Sequence, residues 1–429
     1  MPPSNVLERR RKEKDRPSYL DEQLISAENW LEHKRLDDNL QGLWRIHDKL
    51  YDLSKFIDKH PGGRQWLELS KGTDCTEAFE SHHVEGKAEA ILPKFFVKTA
   101  STPRDVDYTF HEDGFYKTLK TEAQVVLKIL PIKQLEIQSK IIIDAMAFMT
   151  FFLAGTAAYN ASYIIATISG FFLALTTIAS HNFFHKKDSW RMYYFHLSLL
   201  SVRDWRISHT FSHHSYPNTL QDMDVTGFEP FFNYFPDPRK NVISRFVSWA
   251  YYPFIYATMF HSEFFTRCIH NTLSKSEILT ASTIPTLLFF ANGGNIISAF
   301  LMWTWILCVG SLTFHNTDVV ATHRHPETFV QGDAPRKDRD WGLAQIDTTK
   351  DNQWLTGNAF FAVILFADHT LHHLFPTVDH SVLKFLYPVF LQTCKKFNVT
   401  WKADDRSFQM ATAEFRALAR NKPNQCPPN

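Results

Sequence analysis

The sequence has almost no net charge, few cysteines and no apolar leader, and each shortage excludes a class of protein. Its 46 Lys and Arg residues nearly balance its 45 Asp and Glu residues, for a formal charge of +1. Without a basic excess or a basic amphipathic repeat, we expect no nucleic-acid partner. Residues 1–20 are polar and basic, with no apolar central region, and are predicted to be a disordered cytosolic tail.

The cysteines show no paired or metal-ligand spacing. We interpret them as free thiols in a reducing compartment rather than as a disulfide framework. They are Cys75, Cys268, Cys308, Cys394 and Cys426.

Two long stretches have no charged side chain at all. Residues 145–180 and 278–314 contain 36 and 37 consecutive uncharged residues. One bilayer-spanning helix takes about 20 residues, so each stretch predicts a helical hairpin of two spans. Buried core helices of a soluble protein are the alternative, but uncharged runs of this length are rare outside membranes. The four predicted spans lie near residues 141–159, 161–180, 278–291 and 295–314.

The charges around these stretches predict the orientation in the membrane. Neither inner connection of the hairpins carries Lys or Arg, whereas the long outer segments carry many. Because positive charge marks the cytosolic side, we expect the N-terminus and both outer segments to face the cytosol. Two further apolar stretches, near residues 246–260 and 355–367, are short for a span and are interpreted as interfacial helices.

Three histidine clusters lie in the outer segments. On an α-helix, residues four apart share a face, so the paired imidazoles of each cluster should point the same way. Neutral imidazole suits iron, zinc and copper, and eight imidazoles exceed what one tetrahedral zinc needs. They therefore predict a site for more than one transition-metal ion. The clusters are His181 and His185, then His209, His213 and His214, then His369, His372 and His373.

Residues 21–100 are predicted to form a small soluble domain around two separated histidines. The turn His60-Pro61-Gly62-Gly63 contains two glycines that allow close approach to a flat ligand. His83 follows 23 residues after His60. A haem iron with two axial histidines has no open coordination position, so it carries electrons rather than binding oxygen.

This domain resembles cytochrome b5. The resemblance implies haem b with His60 and His83 as axial ligands, and the adjacent His82 is the alternative for the second ligand. Residues 101–140 are interpreted as a charged linker. The residues that carry the resemblance are Tyr51-Asp52-Leu53, Lys55-Phe56, His60-Pro61-Gly62-Gly63, Gly72-Thr73-Asp74 and Ala78-Phe79.

The remaining domain is predicted to cover residues 141–429. Through its three histidine clusters and two hairpins, roughly residues 141–400 resemble the membrane fatty-acid desaturase family. The fused haem domain is typical of the front-end desaturases. The resemblance implies two non-haem iron ions held by the eight clustered histidines. It also implies O2-dependent removal of two hydrogens from an acyl chain, in a fatty acyl lipid or acyl-CoA. Electrons would come from NADH through cytochrome b5 reductase and the haem.

Family members have at least one further iron ligand between the second and third clusters. Here His315, at the end of the fourth predicted span, competes with His323 and His325 for that role.

Other polar residues near the clusters have two possible interpretations. Three carboxylates could orient the imidazoles by hydrogen bonding to the ring nitrogens that do not bind metal, or could be solvated loop charges. They are Asp222, Asp224 and Asp368. Three further histidines are interpreted as structural or interfacial: His196, His261 and His270.

Two positions depart from the family pattern. Asn182 stands where many relatives have Asp, and His369 stands where front-end desaturases usually have Gln, so no double-bond position is assigned. The same iron chemistry serves hydroxylases, which makes an acyl-lipid hydroxylase one alternative. A non-catalytic, membrane-tethered haem electron carrier is the other.

The predicted architecture is a small α+β cytochrome b5-like haem domain followed by an all-α integral membrane domain with a cytosolic helical cap. We expect a multi-pass oxidoreductase of lipid metabolism in the endoplasmic reticulum membrane. Its haem domain and histidine clusters should be cytosolic.

Overall fold

The computed structural model describes residues 17–21, 25–317, 321–401 and 403–425. Most of the predicted basic tail and Cys426 lie outside these residues. The other four cysteines are free thiols. The chain forms two compact units, one of residues 1–107 with 204–233 and one of residues 108–203 with 234–429. The domain boundaries drawn from the sequence stay predictions.

The first unit is a small α+β structure with a three-stranded antiparallel sheet. Strands Trp44–Ile46 and Lys49–Tyr51 form a hairpin, and Phe96–Thr99 pairs with the second of them. Trp44, Tyr51 and Phe79 belong to the core beside the sheet. Short 3-10 turns cover Ser18–Asp21, Ile57–Lys59 and Leu92–Phe95, and the α-helices are Ala27–Asp38, Arg64–Leu69, Thr76–His82 and Lys87–Ile91.

The segment 204–233 packs within this first unit although it follows the first predicted hairpin in sequence. Tyr19 Oη lies 3.0 Å from Thr226 Oγ1, and the Trp30 indole donates to the Gln221 carbonyl at 3.0 Å. A short helix Val202–Trp205 leads into the π-helical turn Arg206–His213, and Met223–Thr226 forms a further helical turn. In the π-helical turn the His214 amide donates to the His209 carbonyl five residues back, at 2.9 Å.

The second unit is mostly helical, which confirms the predicted fold class. Among the residues that the structure describes, three helices are long and apolar enough to cross a membrane: Ile132–Tyr159, Tyr163–Phe184 and Ile296–His315. The first two form a hairpin with Asn160, Ala161 and Ser162 between them, and Ser162 Oγ caps the second helix by accepting from the Ile165 amide.

The predicted span near 278–291 is divided between helices Lys275–Ala281 and Thr283–Ala291. Pro285 explains the division, because proline has no amide hydrogen and its ring clashes with the carbonyl four residues back, that of Ala281. Each piece is shorter than a bilayer requires. The number of membrane crossings therefore stays a prediction.

The two stretches interpreted as interfacial also fold as helices. Residues 246–260 fall largely in the 23-residue helix Ser248–His270, and residues 355–367 contain the short helix Ala359–Leu365. The other helices of this unit, with 3-10 and π turns included, are Phe115–Ile129, Trp190–Ser198, Ile243–Val247, Trp341–Thr348, His369–Leu374, His380–Leu383, Lys384–Leu386, Tyr387–Lys396, Ser407–Ala411 and Ala413–Ala419.

Two features of the second unit position its histidines. Gly170 and Gly310 let the helices Tyr163–Phe184 and Ile296–His315 approach closely, because a Cβ on Gly170 would lie 2.7 Å from the Ile306 carbonyl oxygen. Strands Ala321–Thr322 and Lys350–Asp351 pair antiparallel, with Thr322 opposite Lys350. This pairing fixes the backbone directly before His323.

Candidate haem and metal sites

The first unit brings the imidazole rings of His60 and His83 close together, with their planes inclined at 70°. Their ring centroids are 6.1 Å apart. The Nδ1–H of His60 donates to the Gly63 carbonyl at 2.9 Å, and that of His83 donates to the Phe79 carbonyl at 2.9 Å. A neutral imidazole has one N–H, so both rings keep a lone pair on Nε2 for an axial ligand position. Metal–imidazole bonds of about 2 Å fit one iron between rings at this spacing.

Gly62 keeps the space beside His60 open. A Cβ at Gly62 would lie 2.9 Å from His60 Cε1, which is closer than carbon atoms approach. His82, the alternative ligand, instead packs on Trp66 with ring centroids 5.5 Å apart. Burial lowers the pKa of His82 to about 3, so this imidazole is neutral. The geometry therefore favours His83 over His82 opposite His60.

In the second unit, His181, His185 and His372 form a buried triad, which we call triad A. Their ligand nitrogens lie within 4.8 Å of one another, and the Nε2 atoms of His181 and His185 are 2.8 Å apart. His181 lies in the last turn of helix Tyr163–Phe184 and His185 caps its end in a helical conformation, so the four-residue spacing places them on one face as predicted. Ligands about 2.1 Å from one ion and at right angles lie about 3 Å apart, which matches this separation.

His380 orients triad A, a role that its position in the sequence does not predict. Its Nδ1–H donates to the Ala362 carbonyl at 3.0 Å, so its Nε2 can accept from His372 Nδ1 at 3.1 Å. This arrangement directs His372 Nε2 toward the other two rings. Burial and the neighbouring His181 imidazole hold the pKa of His372 well below its usual value. The only signal in the sequence was a further histidine soon after the third cluster.

The same unit contains a second triad of His323, His369 and His373, which we call triad B. His323 Nε2 is 2.7 Å from His369 Nε2 and 3.0 Å from His373 Nε2. The Nδ1–H of His323 donates to the Thr348 carbonyl at 2.8 Å, and that of His373 donates to Gln345 Oε1 at 2.9 Å. The Nε2 lone pairs of His323 and His373 therefore face each other at 3.0 Å. This contact is repulsive unless a cation lies between them.

Of the three candidates for a further ligand, the structure brings only His323 into a triad. His315 Nδ1 donates to the Ser311 carbonyl at 2.8 Å within its own helix. His325 Nε2 lies 3.0 Å from a carboxylate oxygen of Asp404, which Arg406 also binds. His325, Asp404 and Arg406 therefore form an ion-pair network, whereas triads A and B consist of histidines alone.

The second cluster lies in the first unit, where two carboxylates orient it. His209 Nδ1 is 2.8 Å from Asp224, and His213 Nδ1 is 3.0 Å from Asp222. The π-helical turn adds His214, whose Nε2 is 3.1 Å from His209 Nε2. Burial lowers the pKa of His209 even though Asp224 raises it. Carboxylates of this kind fix the tautomer and direct Nε2 toward a ligand position.

Asp368 differs from those two carboxylates. It accepts hydrogen bonds from the Gly357 amide at 2.6 Å and the Tyr387 hydroxyl at 3.0 Å, so it organises the loop before the third cluster. Of the histidines interpreted as structural, His196 is buried in the turn Trp190–Ser198, and His261 and His270 lie on helix Ser248–His270.

Asn182 lies inside the first cluster and binds a buried carboxylate. Its Nδ2 donates to Asp379 Oδ2 at 3.0 Å, and its Oδ1 accepts from the His380 amide at 3.1 Å. Lys186 also contacts Asp379, at 2.6 Å. Although burial raises the pKa of Asp379, Lys186 and the hydroxyl of Ser139 hold it well below its usual range. The carboxylate missing at position 182 is thus replaced by an amide that faces an ionised Asp379.

Comparison with known proteins covers both units. Residues 155–404 match the family model for fatty acid desaturases, and residues 27–100 match that for the cytochrome b5-like haem/steroid binding domain. The chain is 38% identical to a cytochrome b5-related protein of Drosophila melanogaster, over 95% of each chain. It is 25% identical to an acyl-lipid (8-3)-desaturase of Mortierella alpina, over 87% of this chain and 92% of that one.

A third relative is an acyl-lipid (8-3)-desaturase B of Dictyostelium discoideum, 25% identical over 84% of this chain and 86% of that one. No solved structure matches the chain. A cytochrome b5-like domain implies haem, and a desaturase domain implies iron, a lipid substrate and a membrane. The chain is a desaturase-like oxidoreductase that belongs to the fatty acid desaturase family and carries an N-terminal cytochrome b5-like domain.

Proposed function

We propose that this protein uses O2 and a non-haem di-iron centre to introduce a double bond into a fatty acyl chain. The substrate is a fatty acyl lipid or an acyl-CoA. Electrons pass from NADH through cytochrome b5 reductase to the protein's own haem b and then to the iron. The protein acts in the endoplasmic reticulum membrane, with the haem domain and the histidine clusters on the cytosolic side.

The observation that carries the proposal is the pair of triads, A and B, in which every histidine except His323 is buried. In each triad the imidazole nitrogens point toward one position. Both triads lie within residues 155–404, which match the desaturase family model. Two all-histidine triads suit two transition-metal ions better than one zinc, which takes four ligands in all. The proposed iron ligands are His181, His185, His209, His213, His214, His323, His369, His372 and His373.

The bound irons supply the activation of O2, and the bound haem supplies electrons singly. The chain's own residues prepare these sites in three ways. His380, Gln345 and the Thr348 carbonyl set which ring nitrogen carries the proton. Burial holds the pKa of the His372 imidazole well below its usual value, so at this ring the positive charge is left to the metal. The apolar helices around triad A limit the access of water.

The proposed orientation rests on charge. The residues that join helices Ile132–Tyr159 and Tyr163–Phe184 carry no Lys or Arg, and neither do residues 292–295 before helix Ile296–His315. Lys186, Lys187 and Arg191 follow at the other end of helix Tyr163–Phe184. The end that carries the first cluster is therefore assigned to the cytosolic face.

Iron and haem should be counted separately in detergent-purified full-length protein. We expect one haem and about two non-haem irons per chain. The double variant His323→Ala/His373→Ala should lose non-haem iron and keep its haem spectrum. His196→Gln, which changes a buried histidine outside the triads, is the matched control and should keep both.

Product analysis then tests the reaction itself. After expression in a desaturase-deficient host, the proposal predicts an acyl product that has lost two hydrogen atoms. A product that has gained one oxygen atom would replace this proposal with an acyl-lipid hydroxylase. Folded protein with haem but no other metal, in cells supplied with iron, would instead indicate a membrane-tethered electron carrier.

A further inference from the structure

Within the first unit, the rings of His82, Trp66 and Phe211 form a row between the haem-side histidines and the second cluster. His83 is adjacent in sequence to His82, whose ring is 5.5 Å from the Trp66 ring. Trp66 in turn lies 5.8 Å from Phe211, edge to face. Phe211 is the central residue of the second cluster, two residues from both His209 and His213. All the ring separations fall within the range of direct aromatic contact.

Trp66 is held in this position by burial and by a contact with Arg206. It is only 8% exposed and lies on helix Arg64–Leu69, directly after the turn that contains His60. The Arg206 guanidinium lies 4.6 Å from the Trp66 ring centroid and donates to Gln65 Oε1 at 2.5 Å. Arg206 is itself fully buried and is the first residue of the π-helical turn. The contact is therefore a packed part of the unit.

Other contacts join the same two parts of the chain without lying on this row. The Trp30 indole donates to the Gln221 carbonyl, and Tyr216 Oη donates to Glu77 at 3.4 Å. These contacts fix the segment 204–233 through a hydrogen bond or an ion-pair network. Trp66 differs from them because both of its neighbours on the row are rings.

We propose that Trp66, with Phe211, is the electron relay from the haem to the iron bound by the second cluster. In each transfer one electron leaves the haem, which is oxidised from ferrous to ferric, and reduces one ferric non-haem iron to ferrous. No proton or bond moves in this step. The relay rests on the proposed function, because it needs iron at His209, His213 and His214.

The test follows the haem optically in full-length, haem- and iron-loaded protein without O2 or acyl substrate. The haem is reduced by a flash-excited flavin, and its reoxidation by ferric non-haem iron is timed from the loss of the reduced α band. Trp66→Leu should slow reoxidation by about tenfold, which corresponds to a barrier higher by about 1.4 kcal/mol. Trp66→Phe keeps a ring and should restore most of the rate.

Trp30→Phe is the matched control, since Trp30 also contacts the segment 204–233 but is not on the row. It should transfer electrons at the wild-type rate. Haem content, haem reduction potential, iron content and hydrogen-exchange protection of residues 206–214 are measured in every variant. If Trp66 has a purely structural role, its replacement should change those quantities, and the change should be equal in the Leu and Phe variants.

Two results separate the relay from the proposed function. If wild-type haem is reoxidised by the iron and Trp66→Leu is equally fast, the relay is wrong and the proposed function stands. A Phe variant as slow as the Leu variant also overturns the relay. If iron-loaded wild-type protein keeps its haem reduced under these conditions, both proposals fail together.

Discussion

At the scale of single residues, Gly62 limits what can stand beside the proposed haem ligand. A methyl group there would meet His60 Cε1 at 2.9 Å, and the His60 ring is anchored by its bond to Gly63. In Gly62→Ala the ring must leave its preferred rotamer, at about 0.5–1.5 kcal/mol, so haem retention should weaken about 2- to 10-fold. Haem titration of purified protein measures the change. The exposed substitution Glu85→Ala should have no effect, and normal haem affinity in Gly62→Ala would refute the steric explanation.

Asn182 makes a second prediction at this scale. Asn182→Asp would put a carboxylate 3.0 Å from the ionised Asp379, and like charges in a buried site repel strongly. We expect a loss of about 3 kcal/mol in the free energy of unfolding, measured by denaturation in detergent. The double variant Asn182→Asp/Asp379→Asn restores one amide and one carboxylate and should recover part of the loss. Equal stability of the single and double variants would show that the Asn182–Asp379 contact is unimportant.

Some residues of the sites can be predicted from the sequence, and others cannot. Asp222 and Asp224 are candidates from the sequence because they lie near the second cluster, and both orient imidazoles of that cluster. The sequence leaves His323 as one of three candidates, because the position of His323 depends on the pairing of Thr322 with Lys350. Gln345 and His380 were missed, since a side chain that orients a ligand has no sequence pattern of its own.

At the scale of elements, the π-helical turn is the part of the second cluster that spacing rules do not anticipate. Residues four apart share a face of an α-helix, which predicted a pair of His209 and His213. In a π-helical turn the bond runs from residue 214 to residue 209, so His214 reaches His209 as well. Such turns often mark functional sites. The sequence contains no residue type that specifies one.

The contact between Gly170 and Gly310 gives the prediction at this scale. Valine at position 170 would overlap the Ile306 carbonyl and Val309, and overpacking commonly destabilises by about 1–3 kcal/mol. Small residues permit such close helix pairs in membranes. Gly170→Val should lower the melting temperature in detergent. Ile164→Val, on the exposed face of the same helix, is the control. Unchanged melting of Gly170→Val would contradict the close packing.

At the scale of the whole molecule, stability should fall in acid. Burial lowers the pKa of His196 to about 4, an effect that Glu277 opposes and Arg267 reinforces. Above about pH 6.5 the ring is neutral in both states. Between pH 6.5 and 4 only the unfolded chain takes up the proton, so folding loses up to about 3 kcal/mol at this one residue. His196→Gln should lose less stability over this interval in denaturant titrations at pH 7, 5.5 and 4.5. If His196→Gln and the wild-type protein show the same pH dependence of stability, His196 does not contribute to the loss of stability in acid.

The two-part architecture of the molecule was the feature most accessible from sequence, since uncharged runs and histidine spacing are local patterns. The span near 278–291 was expected to be continuous, although Pro285 was present to divide it. The packing of residues 204–233 with residues 1–107 could not be predicted, because it depends on contacts between segments about 100 residues apart. Composition carries no information about such contacts.

That discontinuity has a consequence for how the protein is made. The haem-domain part of the first unit leaves the ribosome first, and about 100 further residues, with two apolar helices among them, must follow before Asp204 appears. At about 5–20 residues per second the delay is roughly 5–20 s. During that interval Trp30 and Trp66 have no partner segment to cover them. The first unit is therefore completed only after the first hairpin has been synthesised, which ties maturation of the haem domain to delivery of the chain to the membrane.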